Sequence, residues 1–477
     1  MIRNVLSIIL ATICLAGCTM TPNYKRPDPP IPTEWPTGPA YKGAVGEVGP
    51  AAAEIGWREF YVDEKLQKVI TLALDNNRDL RIAVLNIEKA RALYRIQRGE
   101  LLPAVNASGS LTRQRTPVVI SQTGEDYTSN LYNVNMGVSS WELDFFGRLR
   151  SLSDKALEQY LSTEQAGHSA QISLVAEVAN AYLTLAADRE NLKLAQSTLE
   201  AQQATYELTQ RRYEVGATSE LDLRQTQTRL DAARVDIARY VRQVALDENA
   251  LNLLAGSPVP RELLSNELNA VTAPKDVSPS LPSEVLLRRP DILQAEHSLK
   301  AANANIGAAR AAFFPRITLT GNIGTTSDEL SALFKAGAAS WTFSPQVTMP
   351  IFDTRVWAAL SEVKVEREIA LAQYEKAIQT AFREVADALA QRGTLGDQMA
   401  AQESLVKASS DAYRLSDARY TSGIDSYLGA LDAQRSLYAA QQGFIIIRLS
   451  RLSNLVTLYK VMGGGWAVEE AKELSKE

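Results

Sequence analysis

The chain repeats itself. "RRYEVGATSELD" at Arg211–Asp222 and "ARYTSGIDSYLG" at Ala418–Gly429 carry Arg-Tyr, Gly, Ser and Leu in one shared spacing, 207 positions apart. The same offset relates Val178-Ala179 to Val385-Ala386, Phe145 and Arg148 to Phe352 and Arg355, and Leu230, Leu251 and Gly256 to Leu437, Leu458 and Gly463. Upstream the offset is 212, pairing Asp79 with Asp291 and Leu102-Pro103 with Phe314-Pro315. A fixed period of this length marks a tandem duplication with about 200 residues per copy. The change in offset falls between 103 and 145 or between 315 and 352, where an exposed connection tolerates insertion. Any element read in one copy is therefore expected in the other, which binds the fold more tightly than length or composition does.

The ends read differently from the body. Met1-Ile2-Arg3, an apolar run from Val5 to Ile13 and "LAGC" at Leu15–Cys18 form a lipoprotein signal peptide over 1–17, with Cys18 the acylated first residue of the mature chain. That run is too short to span about 30 Å of hydrocarbon. Cleavage removes Cys14, so one Cys is left and no internal disulfide is expected. Eight prolines between Thr19 and Pro50 exclude a regular helix and give an extended tether over 18–56. A second Pro-rich stretch, 257–282, links copy one (57–256) to copy two (283–463), and 464–477 form a tail. No further segment approaches 18 consecutive apolar residues, so no transmembrane helix is expected. A net charge of −5 with scattered Lys and Arg excludes a nucleic-acid binder.

Within copy one, Arg148 to Tyr213 is dense in Ala, Leu, Gln and Glu, all favourable in helices, and such a helix spans on the order of 100 Å. Gly216 suits a left-handed C-cap, and Ser219 with Asp222 resembles a capping box. A helix then returns with Leu223, Leu230, Ile237, Val244 and Leu251 at seven-residue spacing, a coiled-coil seam. The two quoted stretches are thus the tips, near 216 and 423, of two long antiparallel helical hairpins.

Between about 104 and 141 the period switches to two. Tyr132, Val134, Met136 and Val138 alternate with Asn133, Asn135 and Ser139. In copy two, over about 316–351, Ile317, Leu319 and Ile323 alternate with Thr318, Thr320 and Asn322. Trp341, Phe343, Val347, Met349 and Ile351 then alternate with Thr342, Ser344, Gln346 and Thr348. Aromatic ends at Trp141, Phe145, Phe313, Trp341 and Phe352 suit the interfacial girdles of a membrane barrel. Four strands cannot close a barrel, and lipid tolerates no open edge, so several chains must each contribute four. Two, three or four subunits satisfy this.

Together these elements resemble the outer membrane factor (TolC-like) family, in its lipoprotein drug-efflux branch. The residues carrying the resemblance are "LAGCTMTPNYKRP" at the start, "IGWREF" at Ile55–Phe60, "WELDFFGRLRS" at Trp141–Ser151, "LLRRPDI" at Leu286–Ile292, "AARAAFFP" at Ala308–Pro315 and "YLGALDAQRSLY" at Tyr427–Tyr438. The resemblance implies a mostly α, tandem-repeat fold with a membrane β-barrel. Four strands per chain form a trimeric 12-stranded barrel, continued by a long α-helical coiled-coil periplasmic tunnel. It implies an outer-membrane exit channel for a tripartite multidrug efflux system, with a periplasmic adaptor and an inner-membrane RND pump as partners. The alternative is a duct for type I protein secretion with an ABC transporter. It also places a gate at the helical tips, with Leu428 as an apolar ring and Asp432 as a carboxylate ring, Arg435 following. Asp222 and Tyr420 match positions that link neighbouring hairpins, whereas Asp425 departs from members with a basic residue there. The tips Gly216, Ala217, Thr218 and Ser219, and Gly423, Ile424, Asp425 and Ser426, are the expected adaptor-docking turns.

An enzyme is not expected. His168 and His297 each lie in a helical pattern without Cys or a second His nearby, and His297 reads as a solvated helix residue. Zinc spacing, a nucleophile elbow and a phosphate loop are missing, and "GGG" at Gly463–Gly465 reads as a helix stop. No metal or organic cofactor is expected beyond the lipid on Cys18. The strand residues facing the lumen (Asn133, Asn135, Thr318, Thr320, Thr342, Thr348) are uncharged and polar, which suits passage of varied amphiphiles.

Overall fold

The computed structural model describes residues 19–42, 52–122, 124–276 and 283–465. The expected signal peptide and Cys18 anchor and the tail from 466 onward lie outside the described residues. Helices α1 (Trp57–Phe60), α2 (Glu64–Asn76) and α3 (Arg78–Gly99) precede strands β1 (Val105–Thr116) and β2 (Tyr127–Leu143). The hairpin α4 (Arg148–Glu214) and α5 (Glu220–Ala255) follows. Then come α6 (Pro290–Ala311), β3 (Arg316–Ser327), β4 (Ala339–Thr348), α7 (Thr354–Thr421) and α8 (Tyr427–Val461). These elements group into two compact units, and each unit draws on both copies.

The first unit takes in residues 19–28, Asn86–Glu164 and Gln294–Tyr374. Its four strands form one antiparallel sheet in the order β1-β2-β3-β4. Cross-strand partners share a face, so the register sorts the side chains. Val105, Leu111, Val134, Met136, Val138, Ile323, Trp341, Phe343 and Val347 fall on one face, while Asn106, Asn133, Asn135, Thr320, Asn322, Thr342 and Gln346 fall on the other. Strict alternation would put Trp141 on the polar face, three residues after Val138. A bulge between them corrects this, shifting the pairing from Val138↔Gly321 to Trp141↔Leu319. Ser140 takes the strained conformation at φ 54°, and its N–H donates to Thr320 Oγ1 at 3.1 Å.

The tether packs into the same unit. Thr21 Oγ1 lies 3.0 Å from Ser151 Oγ, and Asn303 and Arg310 donate to the carbonyls of Pro22 and Met20. Glu296, 3% exposed, accepts from Arg26, from Lys300 at 3.2 Å and from Tyr24 Oη at 3.2 Å. A buried carboxylate needs such partners, and removing one of them is costly.

The second unit comprises residues 29–42, 52–85, 165–276, 283–293 and 375–465. A fully buried aromatic cluster surrounds "IGWREF". Phe60 stacks on Tyr459 at 3.8 Å, and Tyr459 Oη donates to the Ile55 carbonyl at 2.6 Å. Truncating aromatics this buried costs about 3–5 kcal/mol. Gly256 ends α5 at φ 67°, and a Cβ there would meet Asn76 O at 2.2 Å, so only glycine lets α2 and α5 end against each other. "LLRRPDI" supplies Arg289, which donates to Val461 O, Asp291 and Glu384, while Pro290 opens α6.

The heptad positions Leu223, Leu230 and Leu251 are buried, with Ile237 and Val244 half-buried between them. One stretch of α4 is long and apolar enough to cross a membrane by length and composition, although it is not a run of 18 consecutive apolar residues. It is 61% buried inside the fold, so its apolar surface is committed to packing. Polar bonds join the two hairpins: Gln202 to Gln434 at 2.8 Å, Tyr438 to Asp236 at 3.2 Å, Gln442 to Tyr240 at 2.9 Å and Arg448 to Glu190 at 3.0 Å.

Candidate functional site

The functional parts expected of this chain are a lining and a constriction. On the polar face of the sheet, Thr326 donates to Asn133 at 2.7 Å and lies 3.3 Å from Ser340, a bridge across three strands. Gly137 stands opposite Asn322, and Gly324 opposite Asn135. A Cβ on either glycine would come within 2.1 Å of a backbone carbonyl of the neighbouring strand. The six residues expected to face the lumen share the polar face, and two charged residues join them at one end. Glu142 and Arg316 share its parity, and Glu142, about 9% exposed, accepts from Arg316 at 2.6 Å and from Arg148 at 2.7 Å. A cavity of about 260 Å³ beside them is lined by Glu142, Arg148, Phe146, Phe314 and Arg316. Distance in sequence hid this cluster, whose members belong to a strand end, a helix start and the other copy.

At the first tip, Gly216 takes φ 74° and Ser219 forms a full capping box with Asp222. Asp222 Oδ2 accepts from Thr218 Oγ1 at 2.9 Å and Ser219 Oγ at 2.7 Å. The Ser219 hydroxyl, aided by Thr218 and the Ser219 amide, holds this carboxyl below its ordinary range. At the second tip, Gly423 takes φ 72°, Ser426 makes no side-chain cap, and Asp425 instead pairs with Arg419. Ala217 and Ile424 are the exposed second residues of the two turns.

The residues expected at the gate separate into two groups. Leu428, Asp432 and Arg435 lie on the solvent side of α8, Leu428 at 53% exposure, and Arg435 pairs with Asp432 at 3.2 Å. Tyr427, Ala430 and Leu431 form the buried side of the same helix. Asp222 and Tyr420 are not brought together within the chain. Asp222 is committed to its cap, while Tyr420 accepts from Arg212 at 3.3 Å and lies under its guanidinium. His297 is not solvated: it is 2.6 Å from Glu158 and mostly buried. His168 is half-buried in α4. Among the described residues no group of three His, Cys, Asp or Glu side chains could hold a metal.

The outer membrane efflux protein family model matches residues 69–257 and again 281–464, covering the strands and hairpins of both copies. The chain belongs to this family. It is 50% identical to the toluene efflux pump outer membrane protein TtgC of Pseudomonas putida, with 98% of this chain and 96% of that one aligned. Identity and coverage are the same for the antibiotic efflux pump outer membrane protein ArpC of Pseudomonas putida. Its fold superposes on the open state of the Neisseria gonorrhoeae MtrE outer membrane channel with a TM-score of 0.83 and 38% identity, covering 94% and 99% of the two chains. Members of the family are channels of the outer membrane, and this chain is an efflux protein of that membrane with a large periplasmic part. The two-faced sheet is accordingly a piece of barrel wall, apolar toward lipid and polar toward the lumen.

Proposed function

We propose that the protein is the exit channel of a tripartite multidrug efflux system, a passive homotrimeric conduit rather than an enzyme. One observation carries the reading: a four-stranded sheet with one apolar and one polar face, whose edge strands β1 and β4 lack partners among the described residues. Unpaired backbone groups in hydrocarbon cost several kcal/mol each, so neighbouring copies must supply the missing partners. Three copies close 12 strands and bring six helical tips together. An inner-membrane RND pump delivers drugs or other small amphiphiles, and a periplasmic adaptor docks on the tips around Gly216–Ser219 and Gly423–Ser426. The relatives' names, toluene and antibiotic efflux, support cargo of this chemical range.

The constriction lies where Leu428 and Asp432 of three chains converge. Asp432 carboxylates repel one another as they approach, and the Arg435 pair offsets part of that repulsion. Leu428→Ala therefore widens the pore and Asp432→Ala weakens cation selectivity in planar bilayers. If both variants conduct like the parent, the constriction is elsewhere. Deleting the protein from a host without redundant ducts raises sensitivity to several unrelated amphiphilic drugs. Unchanged sensitivity overturns the efflux assignment.

A further inference from the structure

The register puts two charges on the wrong face. Along β1 the apolar side reads Val105, Ala107, Gly109, Leu111, and the next residues of that side are Arg113 and Arg115, opposite Asn130 and Thr128. Both arginines are exposed. The Arg113 side chain has no hydrogen bond or ion pair among the described residues. Arg115 donates to Asp126 Oδ2 from Nε at 2.9 Å and also from Nη2, which holds its guanidinium and leaves Nη1 for a further acceptor.

Depth gives these charges a meaning. At about 3.3 Å per residue and a tilt of roughly 40°, Arg113 stands ~20 Å above Val105 and Arg115 ~25 Å, at the outer limit of an apolar band about 25 Å tall. A cation is costly on a lipid face at mid-depth and nearly free at the interface. The outer leaflet of a bacterial outer membrane is built from phosphorylated glycolipid. Arginine forks match phosphate oxygens two at a time. We propose that Arg113 and Arg115 form a binding site for the phosphate groups of that outer-leaflet lipid. The inference rests on the apolar face lying in lipid. It assigns the barrel a lipid contact distinct from the Cys18 anchor.

The test uses the full-length assembly in detergent and native mass spectrometry. The probes are bis-phosphorylated lipid A, its dephosphorylated form, phosphatidylethanolamine and inorganic phosphate. Wild type is expected to retain bis-phosphorylated lipid A about tenfold better than R113Q/R115Q, while R113K/R115K recovers part of that affinity. Dephosphorylated lipid A should bind both proteins equally and weakly. Equal retention of both lipid A forms by wild type overturns the phosphate site. Failure of wild type to retain any lipid overturns instead the reading of the lipid face. Competition by inorganic phosphate at matched concentration makes the site a free-anion site and overturns the lipid assignment. Loss of subunits in R113Q/R115Q, with lipid affinity per assembly unchanged, makes the patch a subunit contact and overturns it too.

Discussion

At the end of α4 the chain turns through Gly216 and at the end of α7 through Gly423, with φ of 74° and 72° and the same pair of closing bonds. Gly216 N reaches Tyr213 O and Ala217 N reaches Arg212 O. Gly423 N reaches Tyr420 O and Ile424 N reaches Arg419 O. Beyond the backbone the copies diverge. The first tip is held by a capping box, whereas in the second Gly429 occupies the place of Asp222 and an Arg419–Asp425 pair takes over. The hairpins differ in the same way further along. Where α4 and α5 bring together Asp188 and Asp247, copy two has the buried Leu395 and Asn454, the latter bonded to Ala388 O and Gln391. At the sheet, by contrast, the copies stay reciprocal, each placing an Asn opposite the other's Gly. Geometry is retained where two backbones must close on each other, and side-chain wiring is free to change where only one copy's contacts are at stake.

The largest test of this contrast lies in the sheet. Gly137→Ala and Gly324→Ala each drive a Cβ to 2.1 Å from a neighbouring carbonyl and should each destabilise by about 3 kcal/mol. Both losses should be alike, seen as a lowered dissociation temperature of the assembly. Unequal losses would break the reciprocity.

Next is Asp188. Burial, then the neighbouring Asp247, pushes its carboxyl up to about 6. A folded-state value above the unfolded one means the contribution is full below about pH 4 and is lost as pH rises through about 6. Discounted for partial exposure, this is on the order of 1–2 kcal/mol. Asp188→Leu, which copies Leu395, should remove that pH dependence from thermal melts between pH 4 and 7. An unchanged slope would mean the pair does not share a proton.

Ser219→Ala should cost about 1 kcal/mol and Ser426→Ala almost nothing, because only the first serine caps a helix. Hydrogen exchange at the two tips distinguishes them. Asp222, held below its ordinary value, supports the first cap above about pH 4 and loses that support as pH falls through its lowered folded value. The smallest effect is at the other tip. Arg419 and Asp425 are surface-exposed, so 1 M salt should speed exchange at the second tip and leave the first unchanged.

Much of this was legible in the chain. The duplication, the period-two stretches, the seven-residue seam and the glycine turns are local patterns, and local backbone preference is enough to set them. The capping box was readable because its partners sit three residues apart. The bulge at Ser140 was foreshadowed only by the odd spacing between Val138 and Trp141. Tertiary structure alone decided which charges meet. Glu142 finds Arg316 from the other copy, His297 finds Glu158, and Arg289 finds Glu384. Sequence spacing carries no information about such pairs, because their geometry depends on how strands and helices far apart in the chain register. It also decided that Tyr420 meets Arg212 rather than Asp222 and that Arg113 and Arg115 fall on the apolar side. A strand's alternation names two faces, but only pairing with its neighbours shows where each end of a face comes to lie.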